Sequence, residues 1–336
     1  MKRWFLSFFI AFTQTLWAQD YMDQLLITGI ENAKAYGKAY MDPGSKALIF
    51  TLSNGWYHSA KVKRSGRFSL SLKMSNSFVS EEDQRFTIDP KSFDFLTPLI
   101  SSGEVEAATI LGNNSPGIHM LAKYRGNDQQ YHETEIILPQ GLGHSGINFL
   151  PVGFVEAAVG TGIGTEIKFR FLPKIKLKGV STSLYGGALQ HEITHWLSPH
   201  SNFPLHIAAL VGVTFFDGKY NLPPHRSLKG EGQNVKAHSA SWIITSLFST
   251  DFKTLNFYAG TGYIFGKTDT ALKGNFQATL PHAQLNLTNP YNITNRNDGM
   301  TATLGTDLQL GRFQFYLDYN FQRFAGFSGG ISLKII

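Results

Sequence analysis

The chain has 336 residues, a formal net charge of +6, 33 glycines, 27 phenylalanines and no cysteine. Lack of cysteine excludes disulfide staples, thiolate metal sites and a lipoprotein-type anchor, and lack of any block of five Lys or Arg argues against nucleic acid as a partner. The charged fraction of 16% falls below the roughly 25% of soluble domains, yet no run of about 18 apolar residues follows the N-terminal segment, which excludes helical membrane spans.

In chain order, residues 1–18 read as a signal peptide. Lys2 and Arg3 lead an apolar run from Trp4 to Leu16, and Ala18 offers a small residue before Gln19 and Asp20. Residues 19–61 form an expected N-terminal helix and plug-like segment. Asp20 is a fitting N-cap, Leu26, Ile30, Ala33, Gly37 and Tyr40 recur at spacings of three and four, and Asp42-Pro43-Gly44 is expected to end the helix. Lys46 to Lys61 reads as a further, weaker strand, and Asn54, Gly55, Trp56 and Tyr57 are the candidate plug residues.

From residue 62 the pattern changes to period two. Phe68, Leu70, Leu72 and Met74 alternate with Ser69, Ser71, Lys73 and Ser75; Ile167, Phe169 and Phe171 alternate with Glu166, Lys168 and Arg170. Leu205 to Phe215 keeps one apolar face, and Phe313, Phe315, Leu317, Tyr319 and Phe321 oppose Gln314, Tyr316, Asp318 and Asn320. Several of these runs last about 10 residues, which is the length of a tilted strand that crosses a bilayer. The expected fold is therefore all-β, an antiparallel transmembrane β-barrel over 62–336 with a short N-terminal helix or plug segment. Lys73, Glu166, Lys168, Arg170, Asp307 and Asp318 are the candidate lumen-lining residues, either along a permeation path or in an internal ion-pair network.

Connectors alternate between short and long from about residue 149, as periplasmic turns and outer loops do. Turns near 160–164, 198–204, 249–254 and 310–312 are short, whereas 217–234 and 267–299 read as long loops. This spacing gives nine strands after residue 149 and an even total of about 12, within a range of roughly 10–14. Residues 81–148 are an irregular insert with Pro90, Pro98, Pro116 and Pro139, expected to hold one or two strands and an inward-folded piece.

His191-Glu192-Ile193-Thr194-His195 spells a zinc-protease motif, which requires a helix. Thr182, Ser183, Tyr185 and Ile193 around it point to a strand, where the two histidines would lie about 13 Å apart at about 3.3 Å per residue. No metal, cofactor or catalytic set is expected, and the protein is not read as an enzyme. Asn286-Leu287-Thr288 and Asn292-Ile293-Thr294 read as polar loop, and Gly160, Gly162 and Gly164 as a strand turn rather than a nucleotide loop.

Ser53-Asn54-Gly55-Trp56-Tyr57-His58-Ser59-Ala60-Lys61 with the Phe68 strand, and the stretch from Gly186 to Trp196, resemble a family of uncharacterised bacterial outer-membrane β-barrel proteins. The resemblance spans nearly the whole mature chain and implies a single-domain barrel with outer-membrane localisation. It implies outer-membrane lipid and the barrel-assembly machinery as partners. A distant similarity to the outer-membrane long-chain fatty-acid transporter family implies a plug ahead of the first strand, though Tyr57-His58-Ser59-Ala60 stands in place of that family's Asn-Pro-Ala element. Two functions follow as expectations: passive transport of a small hydrophobic or amphipathic molecule, or a closed barrel that serves as a structural or partner-binding scaffold.

Overall fold

The structure, a computed structural model, describes residues 24–100, 103–114, 116–177, 179–197, 205–222 and 229–335. The expected signal peptide, the Asp20 cap and the 198–204 connector lie outside them. Helix α1 (Ile30–Ser53) is followed by strand β1 (Phe68–Phe78) and five short strands: β2 (Arg85–Ile88), β3 (Leu96–Pro98), β4 (Val105–Ala108), β5 (His119–Arg125) and β6 (Tyr131–Ile137). Then come β7 (Phe149–Gly160), β8 (Thr165–Leu177), β9 (Val180–Glu192), the one-turn helix α2 (Thr194–Leu197), β10 (Leu205–Asn221), β11 (Asn234–Thr250) and β12 (Leu255–Lys273). A hairpin of β13 (Asn275–Leu280) and β14 (Ala283–Thr288) precedes β15 (Tyr291–Leu310), β16 (Phe313–Phe321) and β17 (Gly326–Ile335).

Ten strands close an antiparallel barrel in the order β1, β17, β16, β15, β12, β11, β10, β9, β8, β7. The nine expected after residue 149 are all present, and the total is even, but it is ten and not twelve. Both surplus strands came from segments that lie elsewhere. Lys46 to Ser53 is helical, and the strands of 81–148 pair only with one another, as β2–β4 and β3–β5–β6, outside the barrel. The expected inward-folded piece in 81–148 is thus a cap at the barrel's mouth.

Alternation sets the wall. On β12, Leu255, Phe257, Tyr263 and Phe265 face outward and exposed, while Asn256, Tyr258 and Ile264 are buried inside. Met300, Leu304, Leu308 and Leu310 on β15 and Phe313, Phe315, Leu317 and Phe321 on β16 continue the outward apolar surface around the barrel. An apolar face this extensive calls for lipid rather than water. On β12 it spans eleven residues from Leu255 to Phe265, about 25 Å for a strand tilted by about 45°, and then gives way to Lys267 and Asp269. The 17 to 20 residues of β10, β11, β12 and β15 therefore project well past the apolar band. What read as a loop over 267–299 is largely extended hairpin, whereas in 217–234 the strands reach only to Asn221 and resume at Asn234.

The two ends of the barrel differ. Phe68 pairs with both Ile335 and Val159 beside the tight β7–β8, β11–β12 and β15–β16 turns, and Phe78 pairs with Phe149 at the end that carries the cap and the β13–β14 hairpin. Helix α1 begins at the capped end. Leu25, Leu26, Ala33, Tyr36 and Tyr40 share a core with Ile88, Phe93, Leu96, Met120 and Phe276. Further along, Ala47, Ile49, Phe50, Trp56 and Tyr57 pack on lumen-facing Ala188, Leu210, Ile243, Tyr258 and Ile264. At the tight-turn end Gly66 N donates to Gly160 O at 3.2 Å. Residues 24–67 thus cross the whole lumen, from the capped end to the tight-turn end.

Pro43-Gly44 does not stop the helix, contrary to expectation: α1 runs through both to Ser53. Proline removes one intrahelical donor and its ring loosens the turn before it. Here the neighbouring carbonyl of Tyr40 takes a bond from the cap instead, Ile110 N to Tyr40 O at 2.9 Å. Gly44 lies against Ile110, with no room for a side chain. Burial against cap and wall outweighs the local breaker signal.

Candidate functional site

The site grows from the end of α1. The last carbonyls of a helix lack intrahelical partners and carry its partial negative charge. Asn54 leaves the helix with extended dihedrals, and Gly55 turns the chain at φ +73°, in the left-handed region that glycine adopts without strain. The helix end and this turn aim the carbonyls of Leu52, Asn54, Gly55 and Trp56 at one side of the barrel.

There, three cations from β1 and β8 meet them. Lys73 Nζ donates to Gly55 O at 2.9 Å, Lys168 Nζ to Trp56 O at 2.9 Å, and Arg170 Nη1 to Leu52 O at 3.0 Å and Asn54 O at 3.3 Å. Two carboxylates balance them. Glu156 lies 2.7 Å from Lys73 Nζ and 3.5 Å from Arg170 Nη2, and Glu166 lies 3.5 Å from Lys168 and 3.1 Å from Lys63. The side chains of Lys73, Glu156, Glu166, Lys168 and Arg170 are at most 4% exposed. Three cations for two carboxylates leave a positive excess on the wall that faces the negative end of the helix, which is the favourable arrangement. The Arg170 guanidinium also stacks on Trp56, 3.3 Å from its ring centroid, with Phe154 at 4.2 Å on another side.

Elsewhere around the middle of the lumen the plug is held by neutral groups. Ser241 Oγ donates to Ile49 O at 2.6 Å and lies 2.7 Å from Ser53 Oγ; Ser75 Oγ donates to Thr51 O at 2.9 Å. His58 stacks on Tyr316 with centroids 4.6 Å apart, and Tyr57 meets Tyr258 edge-on at 6.2 Å. Side chains of the plug fill recesses left by glycine in the wall: a Cβ on Gly212 would lie 3.0 Å from the Trp56 ring, one on Gly299 3.2 Å from Phe50, and one on Gly260 would strike the Tyr57 hydroxyl. Nearer the tight turns, Gln190 Nε2 donates to Ser59 O at 2.9 Å, and Ala60 N donates to Ser249 Oγ at 2.8 Å. Glu192 accepts from Val62 N at 2.9 Å, and Lys61 pairs with Asp251.

Of the predicted lumen residues, Lys73, Glu166, Lys168 and Arg170 converge on the plug. Asp318 stands on another wall, where Tyr258 donates to it at 2.7 Å and Asn320 at 2.8 Å, and lines a narrow gap beside Asn54, Gly55 and Tyr57. Asp307 lies apart from both, taking a bond from Gln314 at 2.9 Å. All four plug candidates, Asn54 to Tyr57, are buried inside the barrel. Sequence reasoning missed Glu156, Gln190 and His58. Glu156 was within reach, because it alternates with outward Val155 and Ala157 on β7.

The H-E-x-x-H stretch does not form a helix. Strand β9 ends at Glu192, Ile193 bends, and His195 falls in α2, so the strand expected to run through His195 stops three residues early. His191 accepts from Trp196 Nε1 at 3.0 Å and bonds Thr165 at 2.9 Å, while Glu192 bonds His206 at 2.6 Å. In the cap, burial pushes the Tyr36 hydroxyl, and with it that of Tyr40, well above the ordinary tyrosine range; Tyr40 donates to Gln140 O at 2.8 Å.

The fold and site define a class: a closed antiparallel barrel whose lumen is occupied by the segment ahead of its first strand. The chain belongs to the Family of unknown function (DUF6588), and the match spans residues 1–335. No curated protein matches the chain. Among solved structures it is similar to the translocator domain of autotransporter NalP from Neisseria meningitidis, at 10% identity over 86% of this chain and 93% of that one, with a TM-score of 0.33. It is also similar to the outer membrane protease OmpT from Escherichia coli (7% identity, 82% and 100% covered, TM-score 0.28) and to a deltaS2 mutant of the TodX monoaromatic hydrocarbon channel (9%, 82% and 67%, 0.27). At these scores the likeness bears on neither substrate nor mechanism.

Proposed function

We propose that this protein is an outer-membrane barrel held closed by its own residues 24–67, serving as an anchor and scaffold for the cap at its outer face. One observation carries the reading: the buried cations Lys73, Lys168 and Arg170 bind the backbone of the plug itself, rather than standing free along a water-filled path. The apolar band suits lipid contact, the cysteine-free chain and basic leader suit export, and tight turns at the end away from the cap suit a periplasmic face. Assembly in the membrane would involve the barrel-assembly machinery. The test is ion conductance in planar bilayers. The intact protein should be silent, and deletion of residues 24–60 should open a steady conductance; a steady open-channel current from the intact protein would refute the closed state.

A second reading, a gated passive transporter for small hydrophobic or amphipathic compounds, has its own support. A cleft of about 460 Å³ lies against α1 at the capped end, with Ala35, Ala39, Pro43 and Phe86 on its apolar side and Lys38, Asp42, Asp83 and Arg85 as its charged groups. An apolar side facing charges of both signs suits an amphipathic molecule. The distant similarity to long-chain fatty-acid transporters points the same way. Uptake of an amphipathic dye into liposomes by the intact protein, but not by a variant with its plug cross-linked to the wall, would favour this reading over the scaffold.

A further inference from the structure

Two hairpins distant in sequence meet at the capped end. The β5–β6 turn runs through Gly126, Asn127, Asp128, Gln129 and Gln130, with Gly126 N bonded to Gln130 O at 2.8 Å and Gln129 at φ +65°. The β13–β14 turn consists of Pro281 and His282, between the paired Leu280 and Ala283. The Asn127 amide donates to His282 O at 2.7 Å, locking one tip onto the other. On this base the rings of His132 and His282 lie face to face, 4.0 Å apart and 8° from parallel. Asp128 closes the group, its carboxylate 2.9 Å from His132 Nε2. One ligand atom from each of Asp128, His132 and His282 falls within 4.8 Å of the other two.

We propose that Asp128, His132 and His282 form a divalent transition-metal site, of which Zn²⁺ is the representative ion, joining the cap to the β13–β14 hairpin. Two imidazoles and a carboxylate are a characteristic three-ligand set for zinc, with water completing the tetrahedron. Tetrahedral bonds of about 2.0–2.2 Å hold ligand atoms about 3.4 Å apart, so the triad, whose ligand atoms lie within 4.8 Å of one another, must close by up to about 1.4 Å through side-chain rotations. The ion takes the place of the proton between His132 and Asp128, and its charge offsets the crowding of two imidazoles face to face. The expectation of no metal set came from local spacing, which cannot register histidines 150 residues apart that only the long hairpins bring together.

The structure also indicates what the ion does. The β5–β6 hairpin belongs to the cap and the β13–β14 hairpin extends from barrel strands β12 and β15, so an ion bound here ties the cap to the barrel. Asp128 and His282 stand exposed on the two turns and His132 half-buried at the start of β6, so the group is open to ions from outside.

Isothermal titration of the full-length protein in detergent with Zn²⁺ alone tests this. The wild type should bind one ion at this site, and His132→Gln with His282→Gln should weaken that event at least about tenfold, the scale on which losing even an outer-shell partner acts. His119→Gln serves as the control, because His119 pairs with Glu135 on the same hairpin outside the triad and should leave the affinity unchanged. Hydrogen exchange adds a structural readout: Zn²⁺ should slow exchange at 126–132 and 281–283 in the wild type and not in the double variant. Equal affinity in wild type and double variant, an equal loss in His119→Gln, or no protection of the two turns would overturn the site and leave only adventitious surface binding.

Discussion

Strands β1, β7 and β8 meet the plug with Lys73, Glu156, Lys168 and Arg170, whereas β10, β12 and β15 meet it with Gly212, Gly260 and Gly299. The first wall binds the plug's backbone through charge, and the second receives its side chains through shape. These are complementary demands. A helix end presents unpaired carbonyls in one direction only, so cations are useful only on the side it faces. Elsewhere the wall adds single polar bonds, such as Ser241 to Ile49 O, and makes room for side chains, which glycine does at the least cost in volume. The plug is therefore seated in one orientation: a rotated plug would turn its carbonyls toward glycine and away from Lys73, Lys168 and Arg170.

The comparison breaks most readily at Arg170. Arg170→Ala leaves Glu156 with Lys73 as its remaining buried partner and frees Leu52 O, Asn54 O and one face of Trp56. Breaking a buried pair costs about 3–5 kcal/mol, which should appear as a lower denaturant midpoint in detergent. Arg170→Lys should rescue only part of this, since an ammonium cannot stack as a plane between Trp56 and Phe154 nor reach Glu156 through a second nitrogen. On the other wall, Gly260→Val overfills the recess that holds Tyr57 and should cost about 1–3 kcal/mol. If shape matters there, Gly260→Val paired with Tyr57→Leu should recover part of the loss, as a double-mutant cycle would show. The smallest effect is expected at Ser241→Ala, about 1 kcal/mol for loss of its neutral buried bonds to Ile49 O and Ser53 Oγ. A larger loss at Ser241 than at Arg170 would overturn the division between a charged wall and a shaped one.

The same division explains what could be read in advance. The barrel was legible because its two faces see different media, so alternation in Phe313 to Phe321 or Ile167 to Phe171 fixed which residues point inward, Lys73, Lys168 and Arg170 among them. Their partners were not legible. The groups they bind are backbone carbonyls, which no pattern of side chains announces, and the helix that presents them passes Pro43-Gly44, a pair that locally reads as a stop. The cap was hidden for another reason. Strands of three to seven residues, such as β3 and β6, are too short to display a period, and their core is completed by Tyr36 and Phe276 from distant parts of the chain. Each surplus barrel strand in the expected count traces to one of these two segments.

The seating of the plug, with Ala47 to Ala60 inside the lumen in this register, is tested most directly by a cross-link. Ser53 Oγ and Ser241 Oγ are 2.7 Å apart, one on the plug and one on β11, and the chain has no cysteine of its own. Ser53→Cys with Ser241→Cys should therefore form a disulfide in the assembled membrane protein under mild oxidation, seen as a mass loss of two hydrogens and a single cross-linked peptide after proteolysis. Both thiols remaining free and open to a membrane-impermeant maleimide would contradict it, and would mean that the plug lies elsewhere.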